Sequence, residues 1–217
     1  MTPILKVLVG SRAYGLSDET SDTDYRGVFI TPTSELLKIQ PSSLLPNRVE
    51  LEADDVNYEV GHFLNLALKS NPSILEIFVA PIVGDLGVEG AKLRGLFPYV
   101  WSSKGVYEAF TGYAQSQQKR LLNEPDYNRQ WKFAVAYARV LLQAEYLLNS
   151  DSLVLVPTYA LNALGEIRNG EWSVGQVINW VDELKRRVQI AYVHHPDKQS
   201  DPAKFNEFLL QLRKNNW

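Results

Sequence analysis

Two short clusters in this chain have residue types and spacing that can do chemistry. Gly10-Ser11 directly follows an apolar run, Ile4–Val9, and Asp22 and Asp24 lead into a second one, Tyr25–Ile30. A small residue and a hydroxyl after a strand expose backbone N–H groups in a concavity that suits phosphate. Residues two apart on a strand share a face, so the carboxylates of Asp22 and Asp24 are expected side by side, roughly 6–7 Å apart at about 3.3 Å per residue. Held that close they repel, and burial would sharpen the repulsion. A hard divalent ion relieves it, because Mg²⁺ is commonly held by one or two carboxylates together with substrate phosphates. A lone Asp-x-Asp is most often a solvated strand end; the Gly-Ser pair upstream turns the reading toward a metal–phosphate site.

The elements that must position these residues follow from pattern. Ile4–Val9 and Tyr25–Ile30 read as buried strands, the second stopped by Thr31-Pro32. Thr31–Asn47, with Pro32, Pro41 and Pro46, reads as a loop with one short helical turn at Leu36-Leu37. Val49–Val60 suggests a hairpin turning near Ala53-Asp54, which sets a third acidic strand beside the first two. Asp55, Asn57 and Glu59 alternate onto one face of it. Gly61–Ser70 has helical spacing and ends before Pro72, while Ser73–Ala80 forms a second helical piece with Ser73 and Glu76 at capping-box spacing.

From Val88 onward the chain reads as helices: Val88–Leu96, Lys104–Leu122, Asn128–Leu148, Tyr159–Arg168, Val174–Tyr192 and Pro202–Lys214. Ser102 or Ser103 can cap the second, Ser173 and Gln176 form a capping box, and Asp201-Pro202 supplies a cap and an N1 proline. Leu153–Val156 reads as extended. The fold class is therefore α+β, strands with flanking helices over residues 1–87 and a C-terminal helical bundle over 88–217. The abundant aromatics fall mostly in the helical part and read first as core.

Gly10-Ser11 with Ala13-Tyr14-Gly15-Leu16 and Ser21-Asp22-Thr23-Asp24-Tyr25-Arg26-Gly27 resembles the signature of the DNA polymerase β-like nucleotidyltransferase superfamily. Within it the chain looks most like the predicted nucleotidyltransferases of the RNA repair pathway polymerase β family, and Asn71-Pro72-Ser73-Ile74-Leu75-Glu76 matches that family's Asn-Pro-x-x-Leu-Glu string. The resemblance implies an enzyme that moves a nucleoside monophosphate from an NTP to an acceptor hydroxyl, with two Mg²⁺ ions, or Mn²⁺, on a set of catalytic carboxylates. It implies Asp22 and Asp24 as two of them and a third from the next acidic strand, Asp55, with Glu59 the runner-up. Asp55 as a plain hairpin residue is the bland alternative. Gly10 and Ser11 would hold phosphate; Arg12 and Arg26 would touch phosphate or offset the acids. The resemblance implies a minimal mixed nucleotidyltransferase sheet with flanking helices, and such a sheet followed by a bundle resembles the layout of kanamycin-type nucleotidyltransferases, in which the bundle closes the cleft. Lys119, Arg120, Lys132 and Arg139 on its first long helices are then the candidates for the triphosphate, each equally explained singly as a solvated helix face. Asn71 and Glu76 are expected to cap and pack, or else to shape the acceptor pocket. His62, Lys185-Arg186-Arg187 and His194-His195 read as surface or helix-end residues.

Charge narrows the partners. Residues 1–100 carry 8 Lys/Arg against 13 Asp/Glu, a net −5, and residues 101–217 carry 14 against 12, a net +2. Neither half has the excess that gripping long nucleic acid requires. An RNA end, a protein or a small molecule stays open as acceptor, and an inactive nucleotide-binding partner module is the reading from another class; the complete Gly-Ser and Asp-x-Asp set argues against it. No apolar run reaches the roughly 18–20 residues of a membrane span, and the first residues lead into a strand, so a cytoplasmic protein is expected. Zero cysteines exclude disulfides and thiolate metal sites.

Overall fold

The computed structural model describes residues 2–39, 48–52 and 55–217, with the side chains of 48–52 excepted. The apolar, β-branched start of the chain forms β1 (Thr2–Val9), and φ of +71° at Gly10 turns it into the short helix α1 (Gly10–Tyr14). A loop then leads to β2 (Asp24–Ile30), followed by the one-turn helix α2 (Thr33–Leu36). β3 (Arg48–Glu52) and β4 (Asp55–Glu59) pair antiparallel as the expected hairpin; its turn, Ala53-Asp54, lies outside the described residues, as does the 40–47 part of the loop. The sheet order is β1-β2-β4-β3, with β1 antiparallel and β4 parallel to β2, so it is mixed as expected. The outer edge of β1 is covered by 81–83: Leu8 N donates to the Pro81 carbonyl (2.8 Å) and Val83 N to that of Lys6 (2.9 Å).

β4 runs directly into α3 (Val60–Ala67), whose cap is Glu59 accepting from Gly61 N. α4 (Pro72–Leu75) follows and passes into a single tight turn at Glu76–Phe78. Here the expected capping box is corrected: Asn71, one residue before the N1 proline, caps α4 through Ile74 N (3.3 Å), and Glu76 is turned inward. α5 (Gly87–Gly95) lies against β1 so closely that a Cβ at Gly90 would stand 2.3 Å from the Ile4 carbonyl oxygen. The short α6 (Phe97–Val100) was not expected. The long helices α7 (Ser103–Asn123), α8 (Tyr127–Ser150), α9 (Leu161–Arg168, entered through a tight turn at Thr158–Ala160), α10 (Val174–His194) and α11 (Pro202–Asn215) match the predicted spans to within about two residues. Ser102, the Ser173–Gln176 box and Asp201 cap as expected, and Asp126 caps α8 through Arg129 N. Leu153–Val156 forms no strand.

α8 is the centre of the helical part, packed between α7 and α10 with α9 across it, which is why so much of its circumference is buried. Most of the buried apolar residues form one continuous cluster from Leu5 to Leu212, through both the sheet and the bundle. α11 returns to the sheet side: Arg213 ion-pairs Glu59 and donates to the Thr31 carbonyl (3.0 Å), while Thr33 Oγ1 donates to the Arg213 carbonyl (2.6 Å).

Candidate active site

A cleft of about 500 Å³ opens where α1 and the loop before β2 face α8 and the end of α9. One wall carries Ser11, Asp22 and Asp24. Asp24 is the first residue of β2, paired with Val9, and its carboxylate lies directly over Gly10, where a Cβ would stand 1.9 Å from Oδ2. Asp22 precedes the strand instead of lying on it, so the pair meets as a loop residue beside a strand terminus and not as strand neighbours. Both still line the same cleft.

The loop that presents Asp22 is held at several points. Asp18 Oδ1 accepts from Thr20 N (2.9 Å), Thr20 Oγ1 (2.8 Å) and Ser21 Oγ (3.0 Å). Arg168, the last residue of α9, reaches across to Asp18 Oδ2 (3.0 Å) and Ser21 Oγ (3.1 Å), and Arg12 donates to the Ser21 carbonyl (2.7 Å). The Thr20 hydrogen bond first, then Arg168 and Ser21, hold the Asp18 carboxyl well below the usual carboxylate range.

The opposite wall is a stripe of α8: Asn128, Lys132, Val135, Ala136 and Arg139 recur at helical spacing and face the cleft together, with Arg168 and Asn169 beside them. Lys132 is exposed, and among the described residues it makes no ion pair. At the floor lies a buried network. Glu76 accepts from Arg139, from Tyr14 OH (2.7 Å) and from Gln143 Nε2 (3.0 Å), and the Arg139 guanidinium sits 3.8 Å from the centroid of the Tyr14 ring. Burial opposes charge on Arg139, but Glu76 and the tyrosine more than offset it and push its pKa up; burial also pushes the Tyr14 phenol far above its ordinary value. α1 and α8 are thus tied together beneath the cleft by a charged, hydrogen-bonded strut.

Other expected site residues are placed elsewhere. Asp55 is in parallel register with Tyr25, so strand alternation puts it on the sheet face opposite Asp24. There it is buried, paired with Lys6 Nζ (2.8 Å) and accepting from Asn57 Nδ2 (2.9 Å); it does not line the cleft. Glu59 caps α3 and pairs with Arg213. Arg12 holds the loop from outside, and Arg26 donates to the Tyr25 carbonyl (2.7 Å); neither lines the cleft. Lys119 and Arg120 also stand away from it: α7 packs along another side of α8, and Arg120 lies over Phe133. His195 sits at the C-terminal cap of α10, and Lys185 and Arg186 pair with Asp182 and Glu183 on the helix surface, as expected, while Arg187 reaches Glu145 of α8.

Residues that sequence reasoning missed are Asp18, Asn128, Arg168 and Asn169 in the cleft and Lys6 beside Asp55, while Tyr14 stood in the signature without a role. Only Asn128 had an accessible signal, four residues before Lys132 on the same helical stripe.

Among the described residues no helix is long and apolar enough to cross a membrane. No curated protein and no solved structure matches this chain. A family model described as the RNA repair pathway DNA polymerase beta family matches residues 2–194, which include the sheet, both walls of the cleft and the strut beneath it. A polymerase β-type family points to nucleotidyl transfer. The chain belongs to the RNA repair pathway DNA polymerase beta family.

Proposed function

We propose that this protein is a metal-dependent nucleotidyltransferase that moves a nucleoside monophosphate from an NTP to an acceptor hydroxyl and releases pyrophosphate. The observation that carries the reading is the pairing of Asp22 and Asp24 on one wall of a single cleft with Lys132 and the α8 stripe on the other. A cleft of about 500 Å³ is in the range that takes a nucleotide-sized ligand.

Among the described residues no three His, Asp or Glu side chains come together as a metal cage. Two carboxylates suit an ion that takes its remaining ligands from substrate phosphates and water, the habit of Mg²⁺. Asp22 and Asp24 would hold such ions, Mg²⁺ or Mn²⁺, which supply charge neutralisation of the triphosphate and activation of the acceptor oxygen. Ser11 and Lys132 bind phosphate oxygens from the two walls, and the strut from Tyr14 through Glu76 to Arg139 fixes the distance between those walls. The acceptor oxygen bonds to the α-phosphorus as that atom's bond to the bridging oxygen breaks. Pyrophosphate leaves with the electron pair, and the hydroxyl proton passes to a carboxylate or to water.

Incubating the protein with each labelled NTP, Mg²⁺ and separate RNA, protein and small-molecule acceptors tests the reading, with an RNA end first because of the family. Asp24→Asn and Asp22→Asn should each abolish metal-dependent release of pyrophosphate while circular dichroism and melting temperature stay near those of the parent. Unchanged turnover in either variant sinks the proposal.

A further inference from the structure

Outward from the cleft lip, α8 and the end of α7 carry a row of basic side chains. Lys132 stands on the lip. Arg129 is three residues before it and four before Phe133, so these three share one helical surface. The Arg120 guanidinium lies 5.7 Å from the centroid of the Phe133 ring, which extends the row onto α7. All three basic residues are exposed, and among the described residues none makes an ion pair. By contrast Lys104, Lys185, Arg186 and Lys204 each have a carboxylate one turn away. The acids of the connecting turn are occupied with the backbone: Asp126 Oδ1 accepts from Arg129 N (2.8 Å) and Glu124 Oε1 from Asp126 N (3.2 Å). On the other side of the lip Tyr127 is 61% exposed, its ring edge-on to Trp131 and its hydroxyl against Gly170, next to the cleft residue Asn169.

An unpaired basic row in a chain of net charge −3 is a local feature with a local partner. Basic groups that track a backbone, beside an aromatic ring on which a base can stack, are the elements of sequence-tolerant single-strand binding. We propose that this row receives the acceptor, and that the acceptor is the end of a single-stranded nucleic acid. Its terminal phosphate shares Lys132 with the triphosphate, the two phosphates before it lie along Arg129 and Arg120, a base near the end stacks on Tyr127, and the terminal hydroxyl is delivered to the wall of Asp22 and Asp24. The proposal rests on the nucleotidyl-transfer reading and names the acceptor's class. Three phosphate contacts imply a log–log salt slope of about −2.1, at about −0.7 each for a single strand. That is the grip of a protein that holds a strand end, in keeping with the absence of a general basic excess.

The test uses fluorescein-labelled single-stranded RNA, single-stranded DNA and polyglutamate, with the parent protein, the double variant Arg120→Gln/Arg129→Gln and Tyr127→Ala. All substituted side chains are exposed. The parent should bind the oligonucleotides and lose about 18-fold in affinity on going from about 50 to about 200 mM salt, and the double variant only about 2.6-fold. Tyr127→Ala should weaken binding without changing the slope, and a fluorescent NTP analogue should bind all three proteins alike. The proposal is overturned if the double variant keeps the parent's affinity and slope, or if polyglutamate binds as tightly through the same residues. It is equally overturned if NTP binding falls together with oligonucleotide binding, which would return these residues to the triphosphate. Strand binding is read without turnover, so a parent that binds strands through this row but transfers nothing sinks the transfer reading alone. Transfer to a small molecule without strand binding sinks this proposal alone.

Discussion

At Gly10 a Cβ atom would stand 1.9 Å from Asp24 Oδ2, and the backbone already has φ of +71°. An L side chain in that region costs about 1–2 kcal/mol, and here it must also push the carboxylate away. Gly10→Ala is therefore expected to lower the melting temperature modestly and to reduce metal-dependent pyrophosphate release far more than stability, as calorimetry and a phosphate assay on one preparation would show. Tyr14 gives a different signature. Burial raises its pKa, so the folded protein keeps the phenolic proton while the unfolded chain releases it near pH ~10. A group bound more tightly in the folded state stabilises below its unfolded pKa, and that contribution is lost as pH rises above about 10. Urea midpoints should fall across that range, and Tyr14→Phe should flatten the fall. Burial raises Tyr137 and Tyr159 in the same direction, which leaves a residual slope. What sequence could supply at this scale was residue type and spacing: it placed Ser11, Asp22, Asp24 and Lys132, all of which line the cleft. It could not supply Arg168, because a basic residue at a helix end is explained already by the helix dipole. It also could not show that Asp55 faces away from Asp24, since that depends on the register between β2 and β4.

Among the elements, the loop from Gly15 to Thr23 has no regular structure and is shaped by the contacts at its margin. Arg168 reaches it from α9, 150 residues from Asp18 in sequence. Because Asp18 is exposed, cutting this clasp should scarcely move the melting temperature. It should instead let Asp22 wander: Arg168→Ala is expected to raise the half-saturating Mn²⁺ concentration several-fold by calorimetric titration, with Arg168→Lys intermediate. An unchanged metal titration would mean that Asp18 and Thr20 shape the loop unaided. The helices were legible to within a residue or two because their ends are written locally, as in the Ser173–Gln176 box and Asp201-Pro202. Strand β1's second partner at 81–83 was not, because one bridging pair has no periodicity to read. Glu76 misled for a related reason: its spacing from Ser73 suited a cap, but Arg139, Tyr14 and Gln143 compete for it from distant positions.

For the whole molecule, the division into sheet and bundle describes the order of elements better than it describes the packing, since one core runs through both. α11 binds them further. Glu59 is buried, and Arg213 is its ion-pair partner, 154 residues away in sequence. Removing one partner of a buried pair leaves an uncompensated charge and commonly costs about 3–5 kcal/mol. Arg213→Ala should therefore lower the melting temperature by many degrees while the unfolding stays a single calorimetric transition. Two resolved transitions, with only the sheet affected, would show that the parts melt separately.

The same ion pair sets an order of events during synthesis. Chains fold from their N-terminus as they emerge, yet the carboxylate that joins β4 to α3 has its counter-charge 154 residues later, on the last turn of α11. The sheet that carries Asp24 can form its strands early, but it keeps an unbalanced buried charge until Arg213 arrives. Ribosome-bound chains arrested before α11 should thus be open to proteases at β4–α3 long after their own residues have emerged. The buried carboxylate of Glu59 is balanced only once α11 has emerged and docked.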